Sequence, residues 1–224
     1  MGRYFTHKGI QVSGFYGKNP CTTQEASVAT KTNYYNNIQD LVHDSNIVFI
    51  TTPDNLIASI DKQFAAFDMT NKTVCHASGS LQSSILCHSK QSGACVYSVH
   101  PIFAFSNKSI PITELETVNF SLEGADLCCT QNPPILTLMK QLGNPYFIRR
   151  LEDAATYHLA NVFVSNLTLS LLDIGVSYFT SMGLHENQAI TALYPLIEGN
   201  LKNIARQGFA QSLTGPIARG DSMT

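Results

Sequence analysis

The stretch Asn46-Ile47-Val48-Phe49-Ile50-Thr51 is a nearly continuous apolar run that ends at the turn Thr52-Pro53-Asp54. Such a run predicts a strand that is covered on both faces, as in a parallel sheet. Apolar residues with helical spacing precede it over Ile38–His43 and follow it over Leu56–Phe67. A buried strand between two helices is typical of an α/β protein with crossover connections.

The same pattern recurs along the first 150 residues. A helix is predicted at 134–142, and further strands are predicted at 10–16, 73–76, 94–99, 118–123 and 146–148. Strands separated by helices predict an α/β, doubly wound sheet. From about residue 151 the pattern becomes all-helical, with one helix over 154–182 and another over 186–207, which Gly208 ends. We therefore expect two domains, residues 1–150 and residues 151–224, with the boundary near Arg150.

Composition excludes several classes of partner. The net charge is −2 at pH 7, and the sequence contains no run of basic residues, which argues against nucleic acid. The longest apolar stretch, Leu159–Phe179, is interrupted by polar residues that a lipid-facing helix would carry at a cost of several kcal/mol: Asn161, Ser165, Asn166 and Asp173. We expect no membrane contact but a helix buried between protein partners, and hence a homodimer formed through the helical domain.

The cysteines indicate a reducing compartment. Six cysteines are scattered along the chain, and none forms a Cys-x-x-Cys pair with a second such pair downstream. No signal-peptide pattern is present, so reduced thiols in a cytoplasmic protein are expected. We assign the adjacent Cys128 and Cys129 to packing, and we predict no metal site because no group of histidines and cysteines has the required spacing.

Three segments carry a family resemblance: Ser98-Val99-His100-Pro101, Tyr157-His158-Leu159-Ala160, and the run from Leu213 to Asp221. Together they resemble the Rossmann-like, NADP-oxidoreductase-type proteins whose C-terminal helical domain is a domain of unknown function. This family is related to pyrroline-5-carboxylate reductase and prephenate dehydrogenase. The resemblance covers essentially the whole chain. It implies NADP as cofactor, with NAD possible, and hydride transfer to or from a small carbonyl, imine or hydroxyl substrate.

The resemblance also implies a missing strand. Residues 2–9 look like the last two turns of a helix, with Gly9 as its stop, but no start signal precedes them. In the family, a strand and a glycine-rich dinucleotide turn come before this helix, and the first strand lies in the middle of the sheet. We therefore expect about twenty residues to be missing before Met1, and a further helix to be cut short after Asp221. The alternative is a genuinely short variant whose termini fray.

Candidate cofactor residues follow the strand ends of the predicted sheet. Lys18 follows the second strand of the family's sheet, where a basic residue tolerates the 2′-phosphate of NADP; the alternative is an ordinary exposed turn lysine. Thr51, Thr52 and Pro53 end the fourth strand at the edge where such sheets bind ligands, although a simple strand-to-helix turn explains them equally. Two residues that end the next strand are also assigned to the cofactor: Ser78 and Gly79.

Candidate catalytic residues lie on the same sheet edge and on the long helix. His100 precedes a proline at a strand end and resembles the histidine of prephenate dehydrogenases that contacts the reacting hydroxyl, so it is assigned to proton transfer. We expect Ser80 or Ser78 to lie near it. His158 is the second candidate for the same proton, and Tyr157 and Asn166 are assigned to the substrate. The alternative is that these helix residues satisfy one another.

The long helix lacks a lysine that related enzymes use, and this argues against the enzymatic hypothesis. No lysine occurs between Asp153 and Leu159, whereas 6-phosphogluconate and hydroxyacid dehydrogenases carry a Lys-x-x-x-Asn set on the equivalent helix. Its absence favours the alternative of a non-catalytic module that binds a dinucleotide or a metabolite. A third alternative is an inactive fragment.

Arg219 is the one strong cation in the C-terminal motif, and we assign it to a substrate carboxylate.

Overall fold

The computed structural model describes residues 1–127, 133–215 and 220. The chain forms two compact units, Met1–Asn161 and Val162–Thr224. The predicted pair Cys128 and Cys129, and Arg219, lie outside the described residues. The domain boundary expected near Arg150 stays a prediction.

The described residues of the first unit form seven short strands in two sheets. Five of them form the larger sheet in the order β3-β4-β5-β6-β7, while β1 and β2 form a separate parallel pair. The strands are β1 (Gly14–Phe15), β2 (Asn33–Tyr34), β3 (Ile47–Ile50), β4 (Thr73–His76), β5 (Cys95–Ile102), β6 (Asn119–Glu123) and β7 (Tyr146–Ile148).

In the part of the first unit that the structure describes, seven helices connect or precede these strands, and an eighth begins near the end of the unit. They are α1 (Gly2–His7), α2 (Pro20–Thr30), α3 (Ile38–His43), α4 (Asp54–Phe64), α5 (Cys87–Gln91), α6 (Ile112–Leu115), α7 (Pro134–Leu142) and α8 (Ala154–Val162).

Strands β3, β4 and β5 are parallel neighbours in the larger sheet. Core side chains cover both faces of this sheet, as the apolar run at 46–51 predicts: Val48, Ile50 and Ile57 belong to one cluster, and Tyr97 and Leu122 to the other. The α/β fold class is therefore confirmed.

The larger sheet reverses direction at β6, which pairs antiparallel with β5. The connection between them holds only the four-residue α6. The residues of this connection, 103–118, contain no long crossover helix of the kind that usually returns the chain for a parallel pairing.

The helix α2 had no counterpart among the predicted elements. Asn19 caps it by accepting from the Thr22 amide, and its buried positions are the polar residues Thr23, Ser27 and Thr30. Because the buried face carries hydroxyl groups rather than apolar side chains, no apolar periodicity marks this helix in the sequence.

The two sheets of the first unit are separated. β1 and β3 are both edge strands, and no strand among the described residues lies between them. The orders β2-β1 and β3-β4-β5 agree with the two ends of the order 3-2-1-4-5-6 of a doubly wound dinucleotide fold.

The second unit is helical. It contains a π-helical segment at Phe163–Leu167, then α9 (Thr168–Ser181) and α10 (Glu186–Ser212). Gly208, the residue predicted to end the second helix, leaves helical conformation with a φ of 79° and a ψ of 174°.

One helical stretch is long and apolar enough to cross a membrane. It runs over Leu151–Ser181 with a mean hydropathy of 1.5 in its most apolar window, and none of that window is buried within the chain. Length and composition alone mark it, and a helix that packs against a second protein has the same features. The expected burial by a protein partner stays a prediction.

Candidate functional site

A large cavity runs along the first unit beside the strand ends. Its volume is about 1940 Å³, and it extends from the flank of β1 and β3 to the residues that follow β3 and β4 and to His100 in β5. Two of the predicted site residues, Thr51 and His100, line this cavity. Ala77, which follows β4, also lines it. Open α/β sheets bind ligands at the carboxyl ends of their strands, so this is the position expected for a ligand.

His100 and Tyr157 form the closest polar contact at this edge. The Nδ1 atom of His100 lies 2.5 Å from the phenol oxygen of Tyr157. Burial, together with the nearby Arg149 and His158, lowers the pKa of His100 to about 4. The imidazole is therefore neutral at pH 7, with one nitrogen as donor and the other as acceptor.

The phenol is the better donor of this pair. Burial raises the pKa of Tyr157, and neighbouring Ser121, Asn161 and Arg149 offset part of that increase. A protonated phenol donates to Nδ1, which leaves the proton of the neutral imidazole on Nε2.

A buried ion pair lies behind Tyr157. The Arg149 guanidinium carbon is 5.2 Å from the centre of the Tyr157 ring, and its Nη2 atom is 3.8 Å from Oε2 of Glu123. The side chains of Arg149 and Glu123 are only 3% and 2% exposed. Glu123 also accepts from the amide and the hydroxyl of Ser83, both at 2.7 Å. A cation stacked on a ring is attractive, so the pair restrains the Tyr157 side chain.

The loop after β4 lies against His100. A Cβ atom placed on Gly79 would be 2.8 Å from Nε2 of His100, so only glycine leaves room for the ring. The hydroxyls of Ser78 and Ser80 donate to Oδ2 of Asp54 at 2.8 and 2.7 Å. The structure thus brings the loop beside His100 as predicted, but it directs both hydroxyls to Asp54.

Asp54 ties this loop to the start of α4. Burial raises the pKa of its carboxyl, but the hydrogen bonds from Ser80 and Ser78 more than offset this, and the net pKa is below the usual value. A carboxylate at this position is ionised at pH 7 and fixes the loop. The Ser80 hydroxyl therefore donates to the Asp54 carboxylate, and the catalytic role given to Ser80 stays a prediction.

The buried His76 has a structural role. Its Nδ1 accepts from the amide of Ser78 at 3.2 Å, and its Nε2 is 3.1 Å from the carbonyl of Gln82. Both ring nitrogens thus shape the loop that carries Gly79.

The remaining cofactor candidates lie at different distances from the cavity. Thr52 has a buried hydroxyl without a hydrogen-bond partner among the described atoms. Pro53 stands immediately before α4. Lys18 is exposed between β1 and α2 and does not line the cavity.

Two further helix residues have separate positions. His158 is exposed on α8, close enough to Asp54 and His100 to influence the pKa of each. Asn166 lies in the π-helical segment of the second unit, where its Oδ1 accepts from Ser165 at 3.2 Å. The roles given to His158 and Asn166 stay predictions.

Sequence reasoning missed three charged residues of the site: Asp54, Glu123 and Arg149. Asp54 follows the strand-end motif directly. Because Pro53 precedes it, the sequence predicts only the start of a helix at this position. Glu123 and Arg149 each end or follow an otherwise apolar strand, at the β6 and β7 ends. A single charge at the end of a buried strand, with an opposite charge at the end of another, is the signal that could have found them.

A possible metal-ligand cluster lies away from this site. The ligand atoms of Asp61, Cys87 and His88 all lie within 4.8 Å of one another. The Asp61 carboxylate already accepts from the amides of His88 and Ser89 and from the Ser89 hydroxyl, so it caps the start of α5. This use accounts for its burial without a metal ion.

Comparison with known proteins places the fold. Residues 119–224 match the family model of DUF2520, a domain of unknown function. A Thermotoga maritima protein of known structure is 25% identical, with a TM-score of 0.69, over 92% of this chain and 75% of that chain. The fold is that of the Rossmann-like NADP reductases. A search of curated proteins gave no match.

Other solved structures agree in fold at lower identity. A Bacteroides fragilis protein named as an NADP oxidoreductase is 16% identical, with a TM-score of 0.73 over 98% of this chain and 81% of that chain. An imine reductase from a Pseudomonas species is 16% identical, with a TM-score of 0.65 over 98% and 73%. A 1-pyrroline-5-carboxylate reductase from Streptococcus pyogenes also matches. The resemblance to NADP-oxidoreductase-type proteins is thereby confirmed.

Proposed function

We propose that this protein is an NADP-dependent oxidoreductase that transfers a hydride to or from a small carbonyl, imine or hydroxyl compound. The observation that carries the proposal is the neutral His100, held by Tyr157 at the cavity edge where this fold binds ligands. Neighbours named as imine and pyrroline-carboxylate reductases support a C=N or C=O substrate.

The cavity fits the nicotinamide end of a dinucleotide. Thr51, Ala77 and His100 line it in the order of the strand ends and would hold this end. The reduced cofactor supplies the hydride. The sequence contains no G-x-G-x-x-G turn, which is the motif that binds the pyrophosphate in this fold. The residues at the strand ends do not by themselves account for pyrophosphate binding. Lys18 is the candidate residue for binding the 2′-phosphate of NADP. If Lys18 makes no contact with that phosphate, NAD is the alternative cofactor.

His100 performs the proton transfer in this proposal. As hydride reaches the substrate carbon, Nε2 gives its proton to the substrate nitrogen or oxygen, and Nδ1 accepts the proton of Tyr157. The resulting tyrosinate lies against the Arg149 guanidinium, which stabilises its charge, and it regains a proton from water. Oxidation of a hydroxyl reverses each step. General acid–base catalysis of this kind contributes roughly 10²- to 10⁴-fold.

Other predicted residues keep secondary roles. His158 is the alternative proton donor, because it is exposed near both Asp54 and His100. Ser78 and Gly79 shape the loop beside the nicotinamide end. Asn166 and Arg219 remain candidates for the substrate.

A non-catalytic binding module is the second candidate function. The absence of a lysine between Asp153 and Leu159 favours it, because the position that supplies a catalytic lysine in hydroxyacid dehydrogenases has none here. In this case the same cavity would bind a dinucleotide or metabolite without turnover.

NADPH fluorescence titration, followed by a panel of small imines and ketones, separates these functions. We expect NADPH binding in the wild type and in His100→Gln, with turnover lost by at least 100-fold in His100→Gln. The matched control is His7→Gln, an exposed histidine of α1 outside the cavity, which should leave turnover unchanged. Binding without turnover on the whole panel supports the module, and failure to bind either NADPH or NADH contradicts the oxidoreductase.

We also propose a homodimer through the helical unit, in a cytoplasmic protein. Large apolar side chains of this unit are exposed, among them Val164 at 76%, Leu171 at 69% and Phe209 at 81%. Soluble monomers rarely expose so many apolar groups together, so a second copy is the proposed cover. Light scattering should give twice the mass of the 24.5 kDa chain. A monomer, or partition into lipid vesicles, would contradict this.

A further inference from the structure

A row of three side chains crosses one face of the larger sheet next to His100. His100 in β5 pairs in register with Ser121 in β6, and Ser121 pairs in register with Phe147 in β7. Residues directly opposite each other on paired strands project to the same face of a sheet, and in an antiparallel pair their Cβ atoms are about 4.5–5.5 Å apart. The side chains of His100, Ser121 and Phe147 therefore lie side by side.

The ring of Tyr157 covers this row from α8. Its centre is 5.7 Å from the ring centre of His100 and 6.2 Å from that of Phe147, and both contacts are edge-to-face. Ser121 stands between these two residues in the row, and it is 0% exposed. The phenol oxygen contacts Nδ1 of His100, one strand away from Ser121. Tyr157 thus closes the space above the Ser121 hydroxyl.

The Ser121 hydroxyl is an unusual group for its position. It lies in the middle of β6, a strand with neighbours on both sides, between the buried Phe120 and Leu122. The hydroxyl oxygen has no hydrogen-bond partner among the described atoms. A buried polar group without a partner destabilises the folded state, so native proteins contain few of them and each requires an explanation.

Arg149 carries two more buried donors without a partner beside the same phenol. Its Nε and Nη1 atoms are unpaired among the described atoms, whereas Nη2 contacts Glu123 and the Ser98 hydroxyl. The guanidinium carbon is 5.2 Å from the centre of the Tyr157 ring. Unpaired donors fixed in a buried site complement a negative charge that develops there during a reaction.

We propose that Ser121 is a positioning residue of the proton transfer, whose hydroxyl donates a hydrogen bond to the phenol oxygen of Tyr157 when that oxygen becomes negatively charged. This role rests on the proposed function, in which Tyr157 gives its proton to Nδ1 of His100. The Ser121 proton stays on its own oxygen throughout, and water returns the proton to Tyr157. A hydrogen bond to an ionised acceptor is stronger than one to a neutral acceptor, so this bond stabilises the transition state more than the ground state.

The groups around the phenol influence its ionisation in opposite directions. Burial raises the pKa of Tyr157, whereas Ser121, Asn161 and Arg149 lower it. The titratable and charged groups that contact the ring are His100 and Arg149, and His100 is neutral at pH 7. The Asn161 amide already donates to the backbone carbonyl of Tyr157 at 2.8 Å. Loss of the Ser121 hydroxyl should therefore leave the effect of burial less opposed and raise the pKa of Tyr157.

The test measures the ionisation of Tyr157 in the full 224-residue chain. The nine tyrosines are replaced by 3-fluorotyrosine, whose phenol ionises at a lower pH than that of tyrosine. ¹⁹F NMR follows each ring as the pH is raised, and the signal that disappears in Tyr157→Phe belongs to Tyr157. Two variants are compared with the wild type: Ser121→Ala removes the hydroxyl, and Ser121→Thr keeps a hydroxyl on a residue type suited to strands.

Ser27→Ala is the matched control. Ser27 is a buried serine of α2, and its hydroxyl donates to the carbonyls of Thr23 and Asn33 at 3.1 and 3.0 Å. Its removal should lower the urea concentration at which the protein unfolds, because two hydrogen bonds are lost, but it should leave the Tyr157 pKa unchanged.

We expect a higher Tyr157 pKa in Ser121→Ala than in the wild type, and the wild-type pKa in Ser121→Thr. Ser121→Ala should unfold at the wild-type urea concentration or above it, because the hydroxyl that it removes is unpaired. With NADPH and the imine and ketone panel, Ser121→Ala should lower kcat about tenfold and leave KM unchanged, whereas Ser27→Ala should leave both unchanged. Circular dichroism shows whether each variant is folded.

Three results would overturn the proposal. They are an equal Tyr157 pKa in the wild type and Ser121→Ala, a urea midpoint of Ser121→Ala as low as that of Ser27→Ala, which shows a hydroxyl paired for structural reasons, and a rise in KM with kcat unchanged. Failure of the proposed function is a separate outcome. It shows as no turnover of the wild type on the whole panel, while the difference in Tyr157 pKa between the wild type and Ser121→Ala is retained.

Discussion

Acidification should protonate His100 only well below the ordinary range of histidine, at a measurable cost to the folded state. Its pKa falls from 6.5 to about 4, chiefly through burial, and the titratable groups that face the ring belong to Arg149, His158, Asp54 and His76. Asp54 alone among these raises the pKa. The folded protein therefore binds this proton more weakly than the unfolded chain does.

The direction of the stability change follows from this difference. The contribution of His100 is complete above pH 6.5 and is lost as the pH falls from 6.5 toward about 4, because the unfolded state takes up the proton first. The difference corresponds to at most about 3 kcal/mol. Since the ring borders the open cavity, solvent screening reduces the expected free-energy loss to about 1–2 kcal/mol.

Urea denaturation of the wild type and His100→Gln at pH 7.0 and 4.5 measures this contribution. Carboxylates also titrate in this range. The quantity that reports on His100 is therefore the loss in free energy of unfolding of the wild type between the two pH values minus the same loss in the variant. NMR of the His100 ring gives the pKa directly. A ring that titrates near 6.5, or an equal loss of stability in both proteins, would refute the burial and charge argument.

Three substitutions test the surroundings of His100. Tyr157→Phe should change the tautomer ratio of the imidazole, read from its ¹⁵N chemical shifts, while thermal stability changes by about 1 kcal/mol at most; an unchanged ratio would exclude the phenol as donor. Gly79→Ala should destabilise the protein by about 1–3 kcal/mol because its Cβ would meet Nε2, whereas Gly199→Ala, in open space on α10, should stabilise it by about 0.5–1 kcal/mol. Glu123→Gln should cost about 3–5 kcal/mol by leaving a buried cation unpaired, and adding Arg149→Met should recover part of it in chemical denaturation; an equal cost in the single and double variants would contradict a buried pair.

The sequence was sufficient to predict most of the sheet. The apolar run around Phe49 specifies a strand covered on both faces, and β4, β7 and α7 occur with the predicted bounds. Such elements are set by local composition and periodicity. The predicted end of the strand before His100 is wrong, because β5 continues through Pro101 to Ile102 and His100 lies within it.

What could not be predicted depends on contacts between distant segments. α2 buries hydroxyls, so periodicity does not reveal it. The antiparallel course of β6 depends on its pairing with β5, which the periodicity of β6 does not specify. The diversion of Ser78 and Ser80 to Asp54 depends on two loops meeting 24 and 26 residues apart. Side-chain partners of this kind are chosen by tertiary geometry, which local sequence does not encode.

The central claim is that a nicotinamide cofactor binds along the strand ends with its reactive ring beside His100. An NMR titration with NADPH tests it most directly. The account predicts saturable shifts at the amides of Thr51, Ala77 and Gly79 and at the His100 ring. Shifts confined to other residues, or none at these four, would contradict it.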